Sequence, residues 1–111
     1  MEVTLKDVGD IAIVIAKGEL ANENNLISLK RTVGELAKAG RLKIAVSLEQ
    51  TTEIDNINAV SLGILLMLIE TFGGQFKIFG PAHHMTYLAG FKRSVPLDLY
   101  EDEAKALASF K

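Results

Sequence analysis

The sequence predicts an α/β domain in which helices pack on a mixed sheet of four or five strands. Three observations carry that expectation. Apolar periodicity alternates between the two-residue repeat of strands and the longer repeat of helices along the whole chain. An early strand candidate, Ile11–Lys17, is apolar on both faces, as a central strand covered on both sides would be. No linker, low-complexity tract or internal repeat interrupts the 111 residues, so residues 1–111 are expected to form a single domain.

Taken in order, Val3–Val8 and Ile11–Lys17 are strands joined by a hairpin turn at Gly9-Asp10. Gly18 is expected to end the second. A helix follows over Asn22–Gly40, where Leu26, Leu29, Val33, Leu36 and Ala37 share a face. Lys30, Arg31, Glu35 and Lys38 lie off it, an Asn near the start can cap, and Gly40 closes it. Leu42, Ile44, Val46 and Leu48 alternate with Lys43, Ala45 and Ser47 as a third strand, and a polar loop comes after it. Asp55-Asn56 open a helix that runs to Phe72 and closes at Gly73-Gly74. Gln75–Phe79 is a short strand, Ala82–Ala89 a helix stopped by Gly90, and Val95–Tyr100 an edge-like strand, since Pro96 is tolerated there but not in a sheet centre. A closing helix spans Glu101–Phe110, with acids in its first turn where the helix dipole favours them.

Composition narrows the functional classes. Hydrophobic residues make up 49% of the chain, so a packed core is expected rather than disorder. Cysteine is absent, which removes disulfides and thiolate metal sites and fits a reducing compartment. A net charge of −2 gives no global field for nucleic acid or anionic membrane. The first residues lack the basic flank and apolar run of a signal peptide, and no uncharged stretch reaches the roughly 20 apolar residues of a spanning helix. A cytoplasmic domain without direct membrane insertion is the expectation.

Catalysis is not expected. No Gly-rich phosphate loop of the Walker or dinucleotide type occurs. Gly73-Gly74 is explained as a helix C-terminal turn. His83 and His84 are adjacent, so on a helix they point about 100° apart and cannot both face one metal; they suit a solvated, partly packed helix start. Glu49, Glu53 and Asp55 lie on a loop with no His, Lys or Arg nearby in sequence, which suits solvated acids better than an acid/base pair. No cofactor or metal is implied.

The helix after Asp55 is the informative one. From Asn56 to Ile69 it carries no charge. If Ala59, Leu62, Leu66 and Ile69 face the sheet, at steps of three, four and three, then Ile57, Val60, Ile64 and Met67 form a second stripe on the opposite side with the same steps. Either the helix Asn22–Gly40 covers that second stripe, or it is an intermolecular surface bordered by Asp55, Asn56 and Ser61. Between Lys43 and Lys77 there is no basic residue, while Glu49, Glu53, Asp55 and Glu70 are acidic. A partner with basic residues around an apolar centre would be complementary.

At this segment the chain resembles the bacterial anti-sigma factor antagonists, or STAS domains. Their signature is a strand ending in Leu-Glu or Leu-Asp, a short loop, and an Asp-Ser-Ser/Ala-Gly-Leu-Gly turn opening a helix. Leu48-Glu49 match the strand end, Asp55 matches the Asp, and Gly73 falls at the glycine after the helix without a gap. Gly18-Glu19-Leu20 resembles the family's Gly-Glu-Leu, and Leu99–Ala104 its last strand and helix, so the likeness covers nearly the whole chain. In the regulated members the residue after the Asp is a serine or threonine that a partner kinase phosphorylates. Here that position is Asn56, followed by Ile57 where a second small residue is usual. A competing alignment sets Asn58–Gly63 on the motif, but it needs compensating gaps and still places no hydroxyl at the acceptor.

The resemblance implies a STAS-like fold, with helices packed mainly on one face of the sheet, and a role in transcription regulation through protein–protein interaction. The implied partner is an anti-sigma factor of the serine-kinase-like ATPase kind. Asn56, polar, neutral and a good N-cap, would mimic a permanently unphosphorylated state, so binding would be constitutive. Ser61, Thr51 and Thr52 are the places to which a phosphosite could have moved. Other readings are a structural STAS subunit of a lipid-trafficking ABC transporter, a small-ligand module using a sheet-end pocket near the helix start, and a homodimer through the same stripe.

Overall fold

The structure is a computed structural model that describes residues 2–21, 23–91 and 97–111, with side chains described from residue 26 onward in the first helix. Asn22, expected at the start of that helix, and Val95-Pro96, expected to open the edge strand, lie outside the described residues. Among the described residues there are six strands and four helices. They are β1 (Glu2–Val8), β2 (Ile11–Leu20), α1 (Glu23–Lys38), β3 (Lys43–Ser47), β4 (Thr51–Ile54), α2 (Asn56–Thr71), β5 (Gln75–Phe79), α3 (Ala82–Ala89), β6 (Leu99–Tyr100) and α4 (Glu103–Ala108).

The sheet runs β1-β2-β3-β5-β6, with β4 attached to β2. Only β1 and β2 pair antiparallel, across the tight Gly9-Asp10 turn in which Gly9 takes φ 61°; the other pairings are parallel. Parallel neighbours require crossovers, and α1, α2 and α3 supply them. Their apolar faces meet one side of the sheet, in a core that includes Ala12, Val14, Leu29, Val33, Ile44, Val46, Leu62, Phe76, Ile78 and Leu88. On the other side α4 covers a smaller cluster of Ile13, Ala45, Phe79 and Ala106. β2 is therefore buried on both faces, which is why its apolar residues do not alternate with polar ones.

Two expectations are corrected around β2. Gly18 does not end the strand: its φ of 106° makes a bulge, after which Glu19 and Leu20 continue. The segment after Leu48 is not a loop throughout, because Thr51–Ile54 pairs in parallel with 18–20 as a further strand. That brings the sheet to six strands rather than four or five. β2 thus exchanges one partner for another along the same edge, β3 alongside 12–15 and β4 beyond the bulge. Thr51 Oγ1 locks the change by donating to the Ala16 carbonyl at 2.7 Å, and the Asp55 N–H donates to the Leu20 carbonyl at 3.1 Å. The start of α2 is consequently fixed to the end of the central strand.

At the far edge, Lys77 on β5 ties down the end of the chain. Its ammonium lies 2.6 Å from Asp98 Oδ2, 5.7 Å from the Tyr100 ring centre and 5.6 Å from that of Phe110. Burial by itself would lower the Lys77 pKa; the hydrogen bond and charge of Asp98, aided by Tyr100, outweigh it and hold the group above its ordinary value of 10.5. The pair's stabilisation is then complete below that value and is lost as pH climbs through the higher folded pKa. Thermal melts of wild type and Lys77→Met should differ at neutral pH and draw together above about 10.5; a gap that widens with alkalinity would contradict this.

Candidate functional site

The helix start expected to carry function is built by Asp55. Its backbone is extended, with φ −90° and ψ 172°, and Oδ1 accepts from the Asn58 N–H at 2.8 Å and from Asn58 Nδ2 at 2.7 Å. The cap is therefore Asp55 and not Asn56, because the carboxylate of the last extended residue is the group that reaches the backbone donor three residues on. Asn56, the first helical residue, is exposed, and its Oδ1 accepts from the Tyr87 hydroxyl of α3. Asn58 is buried and supports the cap from inside; its Oδ1 has no partner among the described residues.

The two stripes of α2 fall on opposite sides. Ala59, Leu62, Leu66 and Ile69 are buried in the main core, joined by Leu65, which the stripe count omits. Ile57, Val60, Ile64 and Met67 are exposed, Ile57 at 68% and Ile64 at 54%. Although α1 packs beside α2, it does not cover them. Ser61, expected at the border of the outward stripe, is turned inward and only 9% exposed, on the flank that it shares with Asn58 and Leu65.

The outward patch is larger than the four stripe residues. Leu68, Phe72 at the C-cap and Tyr87 on α3 are also exposed, and among the described residues only Leu5 and Ile27 of the exposed large apolar side chains lie off this surface. Tyr87 packs edge-on against Phe91, at 5.4 Å between ring centres, and so stands as a firm neighbour to the start of α2. α3 is held in place by His84, which is buried rather than solvated: Nε2–H donates to the Thr51 carbonyl at 2.6 Å. His83 remains exposed. Glu49, Glu53 and Glu70, which lie before and at the end of α2 in sequence, are exposed, and Asp55 is partly so.

Other locations offer less. Cavities of about 410 and 320 Å³ lie side by side around Gly74 and Gln75, at the opposite end of α2 from Asp55, and Arg41 and Lys43 at the second are each paired with an aspartate. Among the described residues no cluster of His, Asp and Glu could hold a metal, and no helix is long and apolar enough to cross a membrane.

No protein-family model and no curated protein matches the chain, whereas solved structures match over nearly all of it. A crystal structure of a candidate anti-sigma factor antagonist, TM1081 of Thermotoga maritima, superposes with a TM-score of 0.79 at 24% identity, over 97% of this chain and 93% of that one. The Bacillus cell fate determinant SpoIIAA in its phosphorylated form gives 0.72 at 13% identity, over 96% of each chain. The anti-sigma factor antagonist SpoIIAA in its unphosphorylated form gives 0.70 at 14%, over 96% and 94%. The chain has the SpoIIAA-like STAS fold. At these identities the likeness is one of architecture.

Proposed function

We propose that this chain is a regulatory protein-interaction domain acting as an anti-sigma factor antagonist, and that it binds an anti-sigma factor of the serine-kinase-like ATPase kind through the outward face of α2. One observation carries the reading: an uncharged, exposed apolar helix face begins directly at the position where the resembled family holds its phosphoacceptor. A patch of this kind is unusual on the surface of a soluble monomer and marks a docking site. Asp55, Asn56, Ile57, Val60, Ile64 and Met67 are the contact residues, with Leu68 and Tyr87 added from the structure; Ser61 lies beneath them. The acids before and at the end of α2 would steer a basic-rimmed partner, affecting on-rate and specificity more than affinity.

Binding is constitutive in this reading, because Asn56 has no hydroxyl to accept a phosphoryl group. Thr51 is buried with its hydroxyl engaged, Ser61 is nearly buried, and Thr52 is exposed on β4. Calorimetric titration against the kinase-like anti-sigma factors encoded in the same genome should detect one complex whose affinity is unchanged by prior incubation with ATP. Intact mass should show no gain of a phosphoryl group. A gain mapped to Thr52, accompanied by weaker binding, would contradict the proposal and place the switch on β4. Asn56→Asp, which adds about half the charge of a phosphate, should weaken the complex modestly and less so as salt rises.

A further inference from the structure

β1 is an edge of the sheet: β2 pairs with one side of it, and no other described strand takes the other. It is seven residues long, and Glu2, Thr4, Leu5, Lys6 and Asp7 are exposed. A long open edge offers unpaired N–H and C=O groups to any extended chain, and proteins ordinarily blunt such edges. This edge is instead its own complement. Laid antiparallel on itself about Thr4, the run Glu2-Val3-Thr4-Leu5-Lys6 sets Glu2 opposite Lys6, Val3 opposite Leu5 and Thr4 opposite Thr4. We infer that β1 pairs antiparallel with β1 of a second copy about a two-fold axis at Thr4, joining the two sheets into one.

Charge selects a second copy over any other extended chain. A two-fold contact must be self-complementary, and an acid and a base placed symmetrically about the centre of a strand meet that demand; like charges there would repel. The neighbouring charges extend the match. Within the chain Glu2 lies opposite Lys17 of β2, and the Lys6 ammonium is 3.4 Å from a Glu103 oxygen on α4. Across the seam the order becomes Lys17, Glu2, then Lys6 and Glu103 of the second copy, alternating in sign on the α4 side of the joined sheet. Asp7, the remaining charge of β1, is held by Arg41 at 2.8 Å and lies beyond the paired segment. The apolar side agrees. Leu5 is opposite the core residue Val14, on the main-core side, yet is 53% exposed. In the pair it meets Val3 of the second copy, which packs against that copy's own core. A slip of two residues either way sets Thr4 against Glu2 or against Lys6 and loses both ion pairs, so the register is specified. α2 packs on β5, with β2 and β3 between it and this edge. Both outward α2 faces therefore stay open, on the same side of the joined sheet, and the inference does not depend on what binds them.

Sedimentation velocity of the wild type from about 1 μM to 1 mM should show a monomer passing to a dimer. Glu2→Lys puts a lysine opposite Lys6 at both ends of the seam, and Lys6→Glu puts two acids together there. Each should weaken self-association by about tenfold or more, with an unchanged circular-dichroism melt because both sites are exposed. Mixed in equal amounts, the two variants should form a dimer of one copy of each over the wild-type concentration range, since every pair is again acid against base. The chain has no cysteine, so single replacements report the geometry. Thr4→Cys sits at the axis and should oxidise to a covalent dimer, whereas Asp7→Cys stands about 20 Å from its counterpart, far beyond disulfide reach. A wild type that is monomeric throughout, a dimer indifferent to both charge reversals, or variants that stay apart when mixed overturns the pairing. Asp7→Cys linking as readily as Thr4→Cys does the same. None of these results touches the partner-binding reading, which the titration against the anti-sigma factor tests separately.

Discussion

Truncating Leu62 to alanine should cost roughly 2–5 kcal/mol of stability, and Leu66→Ala should fall in the lower part of that range. Both side chains are essentially inaccessible and belong to the cluster that joins α2 to the sheet. Leu62 is enclosed within that core, so its loss leaves a void with nothing to fill it. Leu66 also borders the cavity beside Phe76 and Leu97, so the shortened side chain there adds to a space that is already open. Against a typical domain stability of about 5–15 kcal/mol, either change removes a substantial share. Denaturant melts are the measurement. Losses below about 1 kcal/mol at both sites would mean that α2 is held to the sheet by some other face.

Replacing Ile64 by glutamate should have the opposite profile, with folding nearly intact and association abolished. The side chain is half exposed in the free domain, and surface substitutions of this kind change stability by about 0.5 kcal/mol or less. In a complex that covers the patch, however, the new carboxylate would be buried without a partner, at a cost of several kcal/mol. A melt with calorimetry on the same preparation separates the outcomes. Unfolding would assign Ile64 to the domain's own core, and a folded variant that still binds would move the partner to another surface.

Much of this was legible in the residues. The run from Asn56 to Ile69 contains no charge, so both stripes of α2 could be read from spacing alone, and β2 announced its double burial by the lack of alternation from Ile11 to Ala16. What escaped was short or tertiary. Thr51–Ile54 offers four residues, three of them polar or charged, too few for a two-residue repeat to show, and its pairing depends on the bulge at Gly18. The cap was ambiguous because Asp55 and Asn56 are both good cap residues; only the extended backbone of Asp55 decides between them. His84 reads as a polar helix start until the Thr51 carbonyl is placed opposite it. Ser61 is polar but lies on the flank with Asn58 and Leu65, which no single-stripe count marks as inward. Tyr87 joins the surface from another helix, a proximity that no local pattern contains.

The most direct test of the proposed docking surface is backbone amide NMR of the chain during titration with a kinase-like anti-sigma factor encoded in the same genome. Shifted or broadened signals are expected along α2 from Asn56 to Leu68 and at Tyr87, with α4 and the turn at Gly74-Gln75 unaffected. Perturbations concentrated on α4 or around the Gly74 cavities, with the α2 signals unmoved, would contradict it.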